Sequence, residues 1–318
     1  MKRNSMVEVY RCLMMLGICT LHVINHLGDW SWAESLLTPC VCGFAVISGW
    51  FGIKCSLSKI IKLYFVQAWC GAIVLIIMQY TVCVWGGGGF VDWMRGFWFI
   101  HAYVLMMLLS PMVDVVLEYR RVAIVPLFIA VFGWGWLSNF PVIHSYVPKT
   151  HGLEMFSGLA LLGSYAATRI VRITGIYETV SRATCLVVFL VVLGIMGPLH
   201  LGQYNSPLAF LAALSLFLLF WKSDSASENY FVLNILCKFC AIVSPSVFAV
   251  YFLHMSAPGL SGLLEVTRFF LDYNMPIYLA APIGAMTMFV ICILVDCPRR
   301  IVMRFALGRL FIAQIFHA

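Results

Sequence analysis

Two residues that could do chemistry, Arg11 and His22, lie within the first long apolar run of the chain, with ten residues between them. A charged or titratable side chain is costly in hydrocarbon unless it faces the protein interior, so each is a candidate functional residue. At 1.5 Å per residue of a helix, the two residues are roughly 16 Å apart along the axis. The pair therefore marks two ends of a path rather than one contact.

Two further polar residues follow on the same helix. His26 is one turn beyond His22, and Asp29 comes three residues later. Either residue could orient His22 or line an entry for a substrate. A His-x-x-x-His spacing can also ligate a metal, but no third ligand joins it at a recognisable spacing, so we assign no metal site. The alternatives are a His22 ring that hydrogen-bonds a neighbouring helix and an Arg11 that anchors the helix at the membrane surface.

The composition indicates that lipid surrounds most of the chain. Hydrophobic residues make up 63% of the 318 residues, charged residues only 10%, and the mean hydropathy is +0.97. Such a chain is typical of an all-α integral membrane protein. Most of its twelve cysteines lie within apolar runs, where they behave as small hydrophobic residues, and we assign no disulfide.

The apolar runs predict about ten transmembrane helices, each long enough to cross about 30 Å of hydrocarbon. The intervening loops are too short for a soluble domain, so residues 1–318 form a single membrane domain. The predicted spans are residues 7–26, 36–53, 60–84, 97–117, 122–140, 152–171, 183–200, 206–221, 239–257 and 275–296.

The distribution of lysine and arginine predicts the orientation. With a cytoplasmic N-terminus, seventeen of the twenty basic residues fall on the cytoplasmic side and three on the other side. Short cytoplasmic loops collect basic residues, so both termini are expected inside. The same basic rim accounts for the net charge of +7 without a nucleic-acid partner.

Several segments together resemble the membrane-bound acyltransferase 3 family, and the resemblance covers nearly the whole chain. The first is Arg11-x10-His22, and the others are similar to motifs of that family in the expected order. They are residues 43–51, the Lys59-x-x-Lys62 pair followed by Tyr64, residues 98–111, residues 204–207 and residues 246–254. In the Lys59-x-x-Lys62 motif, lysine stands at both positions where the family usually has arginine. This keeps the positive charge but loses the bidentate fork of a guanidinium.

The resemblance implies an enzyme that transfers an acyl group, usually acetyl, from acyl-CoA to a hydroxyl of a surface polysaccharide or lipid-linked glycan. Arg11, Lys59 and Lys62 would bind the CoA phosphates. His22 would be the general base that takes the proton of the acceptor hydroxyl, or else the nucleophile of an acyl-histidine intermediate. The resemblance also implies a multi-pass protein of the bacterial inner membrane that needs no metal.

Other polar residues are candidates for the acceptor site. Glu154 is expected at the outer start of the sixth span, where a carboxylate could contact a sugar, and Asp29 is expected near the outer surface. His101 stands where the family pattern is apolar or aromatic, and it is either a substrate contact or a contact between helices. His254 is interpreted as a residue that ends a helix.

Two other classes of protein stay open. A transporter or flippase for a glycan or a small anion would also have many spans, buried histidines and a basic rim. The sequence lacks an evident internal repeat and the paired, broken short spans typical of such transporters. A membrane receptor or assembly subunit would not need Arg11 and His22 on one helix.

Overall fold

The regular structure of the protein is helical, as the composition predicts. The computed structural model describes residues 4–28, 31–81, 97–119, 152–199, 206–223 and 231–316, and no strand occurs within them. A 3-10 turn, Ser244–Ser246, joins the helices Phe231–Val243 and Val247–His254. The helices in chain order are α1 (Ser5–Leu27), α2 (Ser31–Leu37), α3 (Pro39–Phe51), α4 (Leu57–Thr81), α5 (Trp98–Tyr119), α6 (Gly152–Thr174), α7 (Ile176–Thr179), α8 (Arg182–Met196), α9 (Pro207–Lys222), α10 (Phe231–Val243), α11 (Val247–His254), α12 (Ala257–Asp272) and α13 (Ile277–Phe316).

Several of these helices are long and apolar enough to span a membrane. Within the described residues there are six such segments, and α8 and α9 are apolar but shorter. The protein is therefore membrane-embedded. The six segments are Ser5–Leu27, Trp32–Phe51, Leu57–Ile77, Phe99–Tyr119, Phe231–His254 and Ile277–Met303.

Two features of the helices differ from the predicted spans. The second span is divided, because α2 ends at Leu37 and α3 begins at Pro39, whose ring suits the first turn of a helix. The other feature is α12, which the sequence does not predict because Glu265, Arg268 and Asp272 interrupt its apolar residues. These three charged side chains are exposed. The predicted span 122–140 lies outside the described residues.

The central element is α1, which contacts α2, α3, α9, α10, α11, α12 and α13. Its start is defined by Asn4, whose side chain accepts a hydrogen bond from the Val7 amide at 3.1 Å. This caps one of the free amides of the first turn. Further along, the buried Tyr10 hydroxyl donates to the Ala213 carbonyl at 2.9 Å and its ring meets Phe217 edge-on. The residues of α1 are thereby fixed within the helical core.

The close approach of α3 and α6 depends on a glycine. A Cβ at Gly49 would lie 2.5 Å from the main-chain oxygen of Tyr165 on α6. Small residues allow helix backbones to approach in membrane proteins for this reason.

Candidate functional site

A pocket of about 510 Å³ lies where α1 and α4 begin and α3 ends. Three basic residues line it, namely Arg11 of α1 and Lys59 and Lys62 of α4. The structure thus brings together the three residues that the sequence analysis assigned to CoA phosphates. The other lining residues are mostly apolar or aromatic: Ile47, Ser48, Phe51, Gly52, Ile53, Leu63, Val66, Tyr103, Met107, Pro245 and Phe248.

Arg11 is held at the pocket by a carboxylate of its own helix. Its Nη1 lies 2.6 Å from Oε2 of Glu8, whose side chain is only 5% exposed, whereas the Arg11 side chain is 27% exposed. This ion pair orients the guanidinium and leaves part of its donor fork on the pocket side. The sequence analysis missed Glu8, although its spacing of three residues before Arg11 is the signal for an intrahelical pair.

The two lysines of the pocket are less constrained than Arg11. Lys59 and Lys62 are exposed and three residues apart, so they lie on one face of the first turns of α4. The Lys59 ammonium donates to the Lys54 carbonyl at 3.2 Å, which leaves two of its three donors for other partners. Both lysines are therefore suited to bind an anion as point charges.

The pocket wall after α3 is fixed by hydrogen bonds to α5 and α6. Gly52 has a φ of +72°, which a glycine adopts without strain and which turns the chain at the end of α3. Beyond it, the Ile53 amide donates to the Tyr165 hydroxyl at 3.5 Å, and the Ile53 carbonyl accepts from the Ser110 hydroxyl at 3.2 Å. The wall that carries Gly52 and Ile53 is thereby anchored to two other helices.

The same support contains an ion pair. The Tyr165 hydroxyl donates to Asp114 at 3.1 Å, and Arg169 Nε donates to Asp114 Oδ1 at 2.9 Å. A second aspartate is paired in a similar way, because Arg299 donates two hydrogen bonds to Asp296.

His22 lies beside a second imidazole further along α1. The rings of His22 and His254 have centroids 5.3 Å apart and planes inclined by 55°. His22 is partly buried, whereas His254 is fully buried as the last residue of α11. The Nδ1 of His254 is 2.7 Å from the Val250 carbonyl oxygen. No sequence signal predicts the contact between the rings, because they are 232 positions apart in the chain.

A row of aromatic rings connects the pocket to the imidazole pair. Tyr103 lines the pocket, and its ring centroid is 6.2 Å from that of Phe99. Phe99 is 5.4 Å from Tyr251, which is 6.1 Å from His254. His254 then contacts His22. Phe99, Tyr251 and His254 are buried, so these rings form a packed row between the pocket and His22.

Two other candidate residues, His26 and His101, do not line the pocket. The Nδ1 of His26 is 2.8 Å from the main-chain oxygen of His22, and the side chain is exposed. His101 is also exposed, and its ring lies 6.4 Å from that of Tyr64. Asp29 lies outside the described residues. Glu154 belongs to α6, but its side chain is outside the described part of the structure.

Within the part of the chain that the structure describes, no group of three or more His, Cys, Asp or Glu residues could hold a metal ion. What the described side chains provide is a cationic pocket, an imidazole pair and a packed row of aromatic rings between them. A comparison with family models, curated proteins and solved structures finds no match for this chain.

Proposed function

We propose that this protein is a membrane O-acyltransferase. It would move an acyl group, with acetyl the expected one, from acyl-CoA to a hydroxyl of a surface polysaccharide or lipid-linked glycan. One arrangement carries the proposal: Arg11, Lys59 and Lys62 line a single pocket, and His22 lies on the same helix as Arg11. The two functional ends are roughly 16 Å apart along α1, which requires an extended donor.

The pocket suits the nucleotide end of acyl-CoA in charge and in shape. Arg11, Lys59 and Lys62 offer fixed cations to a polyanion at a partly dehydrated surface. The rings of Phe51, Tyr103 and other lining residues offer apolar faces on which an adenine can stack. Tyr103 lines the pocket, so its ring would contact the start of the flexible arm that carries the thioester.

His22 would act on the acceptor hydroxyl. Its neutral imidazole takes the hydroxyl proton while the new carbon–oxygen bond forms at the thioester carbonyl. As the carbon–sulfur bond breaks, the proton on His22 passes to the departing thiolate, so that atoms and charge balance. The alternative use of the same residue is as a nucleophile that carries the acyl group before the acceptor attacks.

The proposal includes a topology of about ten spans with both termini in the cytoplasm of a bacterium and the chain in the inner membrane. In that topology the start of α1 and the pocket face the cytoplasm, where acyl-CoA is made. His22 lies deeper, towards the side from which an exported glycan would enter. The charge distribution supports this orientation, because seventeen of the twenty basic residues fall on the cytoplasmic side.

The direct test is acyl transfer by the purified full chain in detergent. Radiolabelled acetyl-CoA and a panel of glycan acceptors are supplied, and label on the glycan is measured. The His22→Ala variant is expected to lose transfer while it stays folded. The matched control is Asn25→Ala, which removes an exposed polar side chain from the same end of α1 and should transfer at the normal rate.

Normal transfer by His22→Ala would exclude a chemical role for His22. Absence of transfer by the unchanged chain, together with glycan uptake into vesicles that contain it, would replace the acyltransferase proposal with the transporter. Affinity for acyl-CoA separates the two further, since a transporter of glycans needs no pocket for a nucleotide polyanion.

A further inference from the structure

The two ring nitrogens of His254 have different surroundings. Nδ1 contacts a carbonyl of its own helix, whereas Nε2 does not. The Val250 carbonyl oxygen 2.7 Å from Nδ1 can only accept a hydrogen bond, so Nδ1 carries the proton of the neutral ring. Nε2 is then a bare acceptor. It is buried, and it has no hydrogen-bond partner among the residues that the structure describes.

A buried acceptor without a partner is costly, so its retention calls for an explanation. Two rings contact His254: that of His22, with its centroid 5.3 Å away, and that of Tyr251 on its own helix, 6.1 Å away. A neutral His22 ring has one N–H and one nitrogen lone pair. That N–H could donate the hydrogen bond that Nε2 of His254 is able to accept. A modest rotation of the partly buried His22 side chain would bring the two groups together.

We propose that His254 is a positioning residue for His22: its Nε2 accepts a hydrogen bond from one ring nitrogen of His22 once the His22 side chain has rotated towards it. This fixes the His22 tautomer and directs the lone pair of the other nitrogen at the reacting group. In hydrolase triads a carboxylate does this to the catalytic histidine. Here the acceptor is a neutral imidazole. The inference rests on the proposed function of His22.

A neutral acceptor suits this location better than a carboxylate. The rings around it, including Tyr251 and Phe252, are buried and apolar, and an ionised group there would need a counter-charge. When His22 takes up a proton, the hydrogen bond to His254 lets the pair share a single positive charge. Two charged rings at this separation would repel each other, so the pair takes up only one additional proton at a time.

The alternative is that His254 only closes α11 through Nδ1, and two amide variants distinguish the roles. In His254→Asn the side-chain amide reaches the Nδ1 position and can still donate to Val250. In His254→Gln the longer side chain places its carbonyl near the Nε2 position, where it can accept from His22. Both variants are polar and no larger than histidine, so they disturb packing to a similar extent.

The first readout is the reactivity of His22 itself, which does not depend on transfer activity. The purified full chain is treated with diethylpyrocarbonate, and the rate of His22 modification is followed by peptide mass spectrometry. We expect His254→Gln to keep the normal rate and His254→Asn to lower it about tenfold, as for loss of an orienting partner. The reverse order, or equal rates in two variants with unchanged thermal unfolding, would overturn the proposal.

The second readout is acetyl transfer. His254→Asn should lower kcat without raising the KM for acetyl-CoA, and His254→Gln should restore kcat. A change in KM alone would contradict a positioning role. If the unchanged chain transfers no acyl group, the proposed function fails, whereas the modification rates still decide whether His254 orients His22.

Discussion

Arg11 and Arg299 are each paired with a carboxylate three residues earlier on the same helix, and in both pairs the shortest distance is 2.6 Å. Their surroundings differ. Arg299 donates two hydrogen bonds to Asp296, and the two side chains are 9% and 0% exposed. Arg11 donates to Glu8 through Nη1, is 27% exposed, and lines the pocket.

This difference separates a structural arginine from one that can bind a ligand. Two parallel hydrogen bonds and burial commit Arg299 to Asp296, and the pair ties one turn of α13 together. The donors of Arg11 that Glu8 does not engage remain available on the pocket side. The same spacing in the sequence thus gives a buried pair in one place and a pocket-lining pair in the other, and packing decides between them.

The largest effect is expected at the buried ion pair between Arg299 and Asp296. Asp296→Asn removes the charge that compensates a buried Arg299, and loss of one partner of a buried pair costs about 3–5 kcal/mol. The variant should unfold at a clearly lower temperature in detergent, measured by the fluorescence of the intrinsic tryptophans. A thermal midpoint equal to that of the unchanged protein would show that Arg299 is not committed to Asp296.

The next largest effect is expected at the pocket, where it should appear in the KM for acetyl-CoA and not in the unfolding temperature. Arg11→Ala should raise the KM for acetyl-CoA about tenfold to a hundredfold, the equivalent of a charge-assisted hydrogen bond of about 1.5–3 kcal/mol, with little change in kcat. Arg268→Ala is the matched control, because this exposed arginine of α12 does not line the pocket. Lower expression of Arg11→Ala with an unchanged KM would favour the membrane-anchor interpretation.

The smallest effect is expected from the lysines. Lys59→Ala and Lys62→Ala should each raise the KM for acetyl-CoA about twofold to fivefold, because an exposed ion pair contributes about 0.2–1 kcal/mol. The effect should shrink at high salt, which screens exposed charges. Lys54→Ala should leave the KM unchanged, since its side chain does not line the pocket. An equal rise of the KM in all three lysine variants would indicate that the lysines act through a general positive potential and do not form a specific binding site.

The sequence predicted the features that depend on local spacing. Hydrophobic runs located α1, α4, α5 and the apolar part of α13, because a membrane span needs a minimum apolar length. The convergence of Arg11 with Lys59 and Lys62 was expected from a resemblance, and the structure places all three in one pocket. Their role in binding CoA stays a prediction.

Features that depend on distant contacts could not be predicted. The contact between His22 and His254 forms because α1 packs against α11, and no local pattern encodes that pairing. The amphipathic helix α12 was missed for another reason. It buries Leu263 and Thr267 on one side and exposes charged residues on the other, so a search for continuous apolar runs passes over it.

We propose that the pocket and His22 bind two ends of one donor molecule. An experimental structure of the full chain with a non-hydrolysable acetyl-CoA analogue would show both ends at once. We expect phosphate density against Arg11, Lys59 and Lys62, with the acyl end in contact with His22. An analogue that binds with its acyl end away from His22, or with its phosphates outside this pocket, would contradict it.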